Sequence, residues 1–537
     1  MRSDMGKIKR ISAAFLLFCV PLFAMASSSL HDLDRLCGPG QTVRVKGSVI
    51  VEGIVISSYK SENMAVIPNL TPESLDLNAN LRTAYIQSPD GSKGLRVIFD
   101  EPEYNMLDRY DNVVLDLGNC LLGRDAHTGA LTVSGLTPSN VSRVRKGTAG
   151  QLPLKARYVC ELTDDDIYTY VTLKDMEFVF KDGSFADVRE NYIKDRMDSW
   201  VSQIRDSRGG SMYLHVNMKC DWRRRGDGVP AGCGDICGII VNDQLRRHGD
   251  SLGRYSVRPV DREDIFVPKK GKSSWKVITG WRLDGSLGSS LFFENAGQVE
   301  NLTKKGVKED RVLNDMGAQG FLWTDAGSEI RLTVDLDGVS TEKDGVSQNG
   351  ALYLWTPSRN WYRFNEFGQM EGTSSIMLEF SSSKVKAGSL MQLAFNMAAG
   401  NSYVTGSYNY PYEWKVECSV DGSHWITMKD IVTGLESFAL RTMPYKDGKV
   451  GKNRYKTQYD AGMGLQQRVF SFPEEALGKP KVMVRITPAS RRLSVMHRSS
   501  PDLPSGTNRN NDNYVRMDTK EMTYIRIGTM KIEFKDK

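Results

Sequence analysis

Asp335, Asp337 and Asp344, with Asn349 behind them, form the stretch whose side chains are best suited to hold a metal ion. Hard oxygen donors of this kind suit calcium, although their spacing departs from that of an EF-hand loop. Asp337-Gly338 reads equally well as a turn between two strands. The expectation is no resident cofactor, with calcium the ion these donors could take. The six histidines, His31, His127, His215, His248, His424 and His497, are scattered one per element, and no acid or nucleophile is placed beside any of them. No paired-His helix, nucleophile elbow, phosphate loop or dinucleotide glycine pattern is present. A glycosidase carboxylate pair assembles only in space, and nothing singles one out. The sequence offers no catalytic residue, and the chain is expected to be non-enzymatic.

The aromatic residues carry more chemistry. Tyr403, Tyr408, Tyr410 and Tyr412 lie with Trp414 in a loop of Gly, Ser and Asn. Trp355, Trp361 and Tyr362 flank a second turn. Tyr among small polar residues gives contact area at low entropic cost, and sugars stack on flat rings. Trp355, Trp361, Tyr362, Tyr403, Tyr408, Tyr410 and Tyr412 are the candidate ligand contacts; the competing reading is that their rings cap a core from its loops.

Arg223-Arg224-Arg225, Arg246-Arg247 and Arg491-Arg492 would suit phosphate or acidic glycans. A net charge of +6 over 537 residues does not by itself make a nucleic-acid binder. If bases were bound, Tyr85 or Phe99 would serve as the stacking platform.

Residues 1–26 read as a signal peptide: Lys7, Lys9 and Arg10, then apolar Ala13 to Phe23, then Ala24-Met25-Ala26. The mature chain is thus expected in the periplasm, on the cell surface or secreted, with no transmembrane segment thereafter. Cys37, Cys120, Cys160, Cys220, Cys233, Cys237 and Cys418 remain after cleavage, an odd number. A disulfide within Cys220, Cys233 and Cys237 and buried free thiols both stay open.

What would position these residues is almost entirely β. Thr42–Ser57 (TVRVKGSVIVEGIVIS) alternates, then turns β-branched, with Gly47 and Gly53 inside it. It reads as a long strand bent at a glycine, as at the start of a small closed barrel. Ala84–Gln87 and Gly94–Phe99 flank a Pro-Asp-Gly turn, and Asn112–Leu122 and Leu131–Val133 add strands. The same plan returns at Tyr170–Phe180, Met212–Val216, Cys237–Val241 and Gly253–Pro259. A helix is expected in Asp187–Ser207 from the spacing of Tyr192, Ile193, Met197, Trp200, Val201 and Ile204. Pro268–Ser274 reads as a linker, and the many strands beyond it read as a sandwich.

These patterns imply a mainly β chain: a first OB-like domain at 36–146, a second at 150–267, a linker at 268–274, and a jelly-roll β-sandwich at 275–537. VKGSVIVEGIVISS, AYIQSPDGSKGLRVIF and GRYSVRPVDREDIFV resemble the OB-like domain of uncharacterised exported proteins of Bacteroidota, a family without assigned catalytic residues. Trp414 to Trp425 (WKVECSVDGSHW) resembles the SxDGxxW hairpin of galactose-binding-like and discoidin-type sandwiches and of jelly-roll adhesion modules. The resemblance supports the architecture and names no ligand. Export, two β modules without a catalytic constellation and the Tyr-rich loop make the expected function that of an exported, non-enzymatic binding or adhesion protein that recognises a glycan or an envelope protein. The alternatives are a carbohydrate-active or nuclease-like hydrolase with carboxylates converging in space, and a structural subunit of a surface assembly.

Overall fold

A computed structural model describes residues 28–61, 63–65, 78–181, 200–217, 220, 222, 228–243, 252–283, 290–302, 305–333, 351–401, 411, 413–440, 466–490 and 522–536. The chain is mainly β, built from several sheets. No described helix is long and apolar enough to cross a membrane.

The first sheet comprises β1 (Thr42–Arg44), β2 (Ile50–Val55), β3 (Thr83–Gln87), β4 (Gly94–Phe99), β5 (Asn112–Asp116), β6 (Leu121–Arg124), β7 (Leu131–Leu136) and β8 (Val141–Arg145). Their hydrogen-bonded order is β1-β6-β7-β4-β3-β2-β5-β8. The expected long strand is therefore split: β1 pairs β6 while β2 pairs β5. Gly47 makes the break with a φ of 75°, a conformation that favours a residue without Cβ. The partner breaks opposite it, where the Val45 N–H donates to the Cys120 carbonyl and the Asn119 N–H to the Val45 carbonyl. One bent chain thus serves both sides of the sheet. Gly53 answers a different need, since a Cβ there would lie 2.3 Å from Ile86 Cγ2. Val51, Val55, Ala84, Ile86, Leu95, Val97 and Phe99 alternate inward, and the short helix Leu30–Arg35 adds Leu30 and Leu33 to their core.

The second sheet comprises β9 (Ala156–Arg157), β10 (Tyr170–Phe178), β11 (Trp200–Arg205), β12 (Ser211–Val216), β13 (Gly234–Val241) and β14 (Ser256–Arg258), ordered β11-β12-β14-β13-β10-β9. β10 also pairs β11, which closes the sheet on itself. β4 and β7 run parallel, as do β12 and β14, so the two sheets repeat one strand plan. The expected helix is corrected where it can be seen. Trp200, Val201 and Ile204 lie on β11, which pairs β12 over six residues. Ile204 turns into the core while its neighbours Gln203 and Arg205 turn out, a period of two rather than 3.6. Residues 182–199 lie outside the described residues, as do the signal segment, the acidic loop of Asp335, Asp337 and Asp344, and Tyr403, Tyr408, Tyr410 and Tyr412.

Beyond Pro268, two nine-stranded sheets enclose the largest apolar core. The sheet that receives β15 (Lys276–Arg282) is organised on the strand Met522–Lys535. That strand pairs Leu390–Asn401 along one side, and Ala351–Pro357 and β15 end to end along the other. The facing sheet contains Gly320–Thr324, Ile376–Phe380, Val482–Pro488 and Glu413–Ser419 in that order. The expected linker is not a free spacer: Ser273 Oγ donates to both oxygens of Glu177 at 3.0 and 2.8 Å.

Each of the first two sheets is covered on the same face by the unit that follows it. On β3 and β4, Tyr85, Gln87 and Arg96 point away from their own core. The Tyr85 ring joins the second core with Ile56 and Met64, and Gln87 Oε1 accepts from the Tyr170 N–H at 2.9 Å. Arg109 adds ion pairs to Asp261 at 3.1 Å and Asp264 at 2.8 Å. On β11 and β12 the equivalent outward residues are Gln203, Arg205 and Tyr213, and they meet the sandwich. The Gln203 N–H donates to Gln467 Oε1 at 2.7 Å, and the Tyr213 hydroxyl to the Gln467 carbonyl at 2.9 Å. Arg205, fully buried, pairs with Glu177 at 2.9 Å and Glu533 at 2.8 Å.

Candidate functional site

The facing sheet of the sandwich has an inner and an outer side, set by strand pleating. Leu322, Leu378, Val484 and Val416 enter the core. Their neighbours form two rows across the outer side. One runs Trp323, Met377, Arg485, Glu417 and Thr427. The other runs Phe321, Glu379, Met483 and Ser419. Four interstrand steps make the first row about 19 Å long. Phe321, Trp323, Glu379, Met483 and Arg485 all remain half-buried on this face.

Charge is interleaved with the rings. The Arg311 guanidinium sits 3.8 Å from the Phe321 ring centre and 4.6 Å from that of Trp323. It also pairs with Glu379 at 3.2 Å, which Lys481 reaches at 3.1 Å. At the other end, Arg485 stands 4.3 Å from the Trp425 ring centre and 2.6 Å from Glu417. Lys415 holds the same carboxylate at 2.8 Å. Burial pushes the Glu417 carboxyl up, but hydrogen bonds from Lys415 and Arg485 outweigh it and hold the pKa below the ordinary glutamate value. Glu417 is therefore favoured in its ionised form, buried between Lys415 and Arg485.

Trp425 is placed by the turn before it. Asp421 accepts from the Ser423 N–H at 2.7 Å and the His424 N–H at 2.8 Å, and Gly422 supplies a φ of 78°. The His424 and Ser423 backbone and side-chain hydrogen bonds hold the Asp421 carboxyl far below its usual range. Ser423, His424 and Asp421 stand together, but not as a relay. The Ser423 hydroxyl and the Asp421 carboxylate both meet Nδ1 of His424, at 3.2 and 2.7 Å. A relay needs the hydroxyl on the other ring nitrogen. An acid does stand beside this histidine, which the spacing in the sequence did not suggest.

The residues expected to contact a ligand fare differently. Trp361 is fully buried and packs edge-on against Trp414 with ring centres 5.1 Å apart. Tyr362 is buried as well, its hydroxyl donating to the Ser490 carbonyl at 3.0 Å. Both are corrected to core residues, because enclosed rings have no face left for a sugar. Trp355 is half-buried on the outer side of the opposite sheet, paired in register with Glu329 and Tyr524. The turn thus does not bring the three together. The proposed stacking platform is corrected too, since Tyr85 and Phe99 are buried. The three arginine runs lie outside the described residues. Among the described residues, no group of three or more His, Cys, Asp or Glu could hold a metal ion. Among the described residues, Cys37, Cys120, Cys160, Cys220, Cys233, Cys237 and Cys418 are free thiols.

Arg311, Phe321, Trp323 and Arg485 went unnoticed in the sequence. The alternation Phe-Leu-Trp in Gly320–Thr324 was the available signal, but the cross-strand partners Met377 and Arg485 come from strands more than fifty residues away. Compared with protein-family models and with curated proteins, the chain finds no match.

Proposed function

We propose that this is an exported, non-enzymatic binding protein in which tandem OB-like barrels carry a jelly-roll, galactose-binding-like sandwich, and that the outer face of that sandwich recognises a glycan. The observation that carries the reading is the row Trp323–Met377–Arg485–Glu417 with Trp425 standing over Arg485. Rings supply flat apolar faces for the C–H side of a sugar. Guanidinium and carboxylate groups beside them supply paired donors and acceptors for its hydroxyls. The charges on the face are already paired with one another, which favours a neutral sugar over a polyanion.

Coverage of the barrels supports the same reading. In OB folds the face around strands two and three binds oligonucleotides and oligosaccharides; here Tyr85 and Arg96 in one copy and Gln203 and Tyr213 in the other are under the next unit. The barrels act as a stalk, and nucleic acid is disfavoured. A glycan array probed with the mature chain, alongside Trp323→Ala and Trp425→Ala, tests the proposal. Binding by the parent and its loss in both variants is the expected result; no bound glycan, or variants that bind unchanged, refutes it.

A further inference from the structure

A polar layer between the first two sheets is left unused by glycan recognition. Tyr85 and Arg96 are cross-strand partners on β3 and β4. Both meet Tyr168: the two rings are 5.3 Å apart, and the Arg96 guanidinium is 5.3 Å from the Tyr168 ring centre. Tyr168 holds a φ of 64°, a left-handed conformation that an aromatic residue seldom adopts without a structural demand. The close approach is possible because Gly94 has no side chain; a Cβ there would lie 2.1 Å from the Tyr168 carbonyl oxygen.

From the second sheet, Arg258 on β14 donates through Nε to Asp243 at 2.6 Å and through Nη1 to Asn217 Oδ1 at 3.1 Å. Among the described residues, its third nitrogen, Nη2, is buried without a hydrogen-bond partner, and so is the Tyr85 hydroxyl. Arg96 gives Nε to Thr132 Oγ1 at 3.2 Å, and among the described residues no carboxylate forms an ion pair with it. Asp243, the carboxylate these groups share, is already committed to Arg258. Among the described residues the layer therefore holds two guanidinium groups and one carboxylate, with Arg258 Nη2 and the Tyr85 hydroxyl left as donors without an acceptor. Buried donors without acceptors are rare in folded proteins and point to a bound group. Planar guanidinium forks beside a phenol match an oxyanion in shape and charge. Arg96 itself is half-buried, at the edge of the layer's cover.

We propose that this layer is a binding site for a small oxyanion, a phosphate or a carboxylate group, held by Arg96, Arg258 Nη2 and the Tyr85 hydroxyl. The site is distinct from the sandwich face and stands or falls independently of glycan recognition. The test is calorimetric titration of the mature chain with inorganic phosphate and, separately, acetate, against chloride at equal ionic strength, with thermal unfolding in parallel. A saturable one-to-one heat and a rise in melting temperature are expected with at least one of the two, and the stronger response identifies the class. Tyr85→Phe, which removes only the hydroxyl, should weaken binding about tenfold; Arg96→Gln should abolish it, and Arg96→Lys should restore part of it. If Arg96→Gln does not fold, Tyr85→Phe decides. No saturable response to either anion, or a response unchanged in Tyr85→Phe, overturns the proposal.

Discussion

The Arg205 guanidinium and the Glu533 carboxylate meet at 2.8 Å across the seam between the second sheet and the sandwich, and both are buried. Glu177, on the barrel side, holds the same guanidinium, and the Trp275 ring lies 4.2 Å from it. Burial pushes the Glu533 carboxyl up, but Lys531 and Arg205 outweigh it and keep its pKa below the ordinary value. Removing Arg205 would leave two buried carboxylates without their shared partner. Arg205→Leu is expected to cost about 3–5 kcal/mol of unfolding free energy, read by denaturant titration. A loss under about 1 kcal/mol would mean that water reaches the seam.

The acid limb of stability follows from the same kind of group. Burial opposes ionisation of Asp243, but Arg258, His215 and Arg96 reverse this and lower its pKa. Glu177 is lowered likewise, with Arg205 and Lys181 outweighing burial. A carboxyl with a lowered folded pKa stabilises above its unfolded value and loses that contribution as pH falls through the folded value. Stability should thus be level from pH 7 to about 5 and decline progressively below about pH 4. Asp243→Asn should show a lower plateau and a shallower decline in calorimetric melts across that range.

Gly94 tests whether the first two sheets dock as one body. Gly94→Ala would force a Cβ to within 2.1 Å of the Tyr168 carbonyl oxygen, a backbone atom that cannot rotate aside. The expected loss is about 1–3 kcal/mol, with a larger radius of gyration in solution scattering if the sheets part. An unchanged profile and stability would show that this contact is dispensable.

Thiol chemistry offers a direct check on the cysteines. Cys160 is exposed, whereas Cys37, Cys120, Cys220, Cys237 and Cys418 are buried. Burial pushes the Cys120 thiol up to about 11 and the Cys418 thiol up to about 12, so both resist alkylation as well as being hidden. A native-state labelling experiment should modify Cys160 first. The seven thiols from Cys37 to Cys418 should all react after unfolding without reductant, and a shortfall of two among them would reveal a disulfide.

On the sandwich face, Trp323→Ala should cost about 2 kcal/mol of glycan affinity, the size expected for an aromatic anchor, while melting changes little because the ring is only half-buried. Arg485→Ala should cost affinity and also free Trp425 and Glu417, lowering stability modestly. Equal affinity in both variants would move recognition elsewhere on the molecule.

Strands were legible in the sequence wherever alternation and turn chemistry are local. Ala84–Gln87 and Gly94–Phe99 declare themselves through the Pro-Asp-Gly turn, and Gly47 marks the bend that splits the opening strand. The helix expected in Asp187–Ser207 fails over its described part, Trp200–Arg205, because spacings of one and four fit a strand pair as readily as a helix when the partner strand is unknown. Trp361 failed for another reason: a ring in a turn can face inward or outward, and only the packing of Trp414 against it decides. The candidate face was illegible because Trp323, Met377, Arg485 and Glu417 become neighbours solely through the pairing of four strands. Arg205 likewise looks like an ordinary strand charge until Glu533 arrives from the far end of the chain.

The strand Met522–Lys535 has a temporal meaning. It lies between Leu390–Asn401 and both Ala351–Pro357 and β15, and it carries Glu533 into the seam with the second sheet. During synthesis, the strands on either side of it must wait, unpaired with each other, until more than five hundred residues have been made. The first two sheets have no such dependence and can form earlier. The sandwich, with its proposed binding face, is therefore the part that completes last, after the two preceding sheets are already in place to receive it.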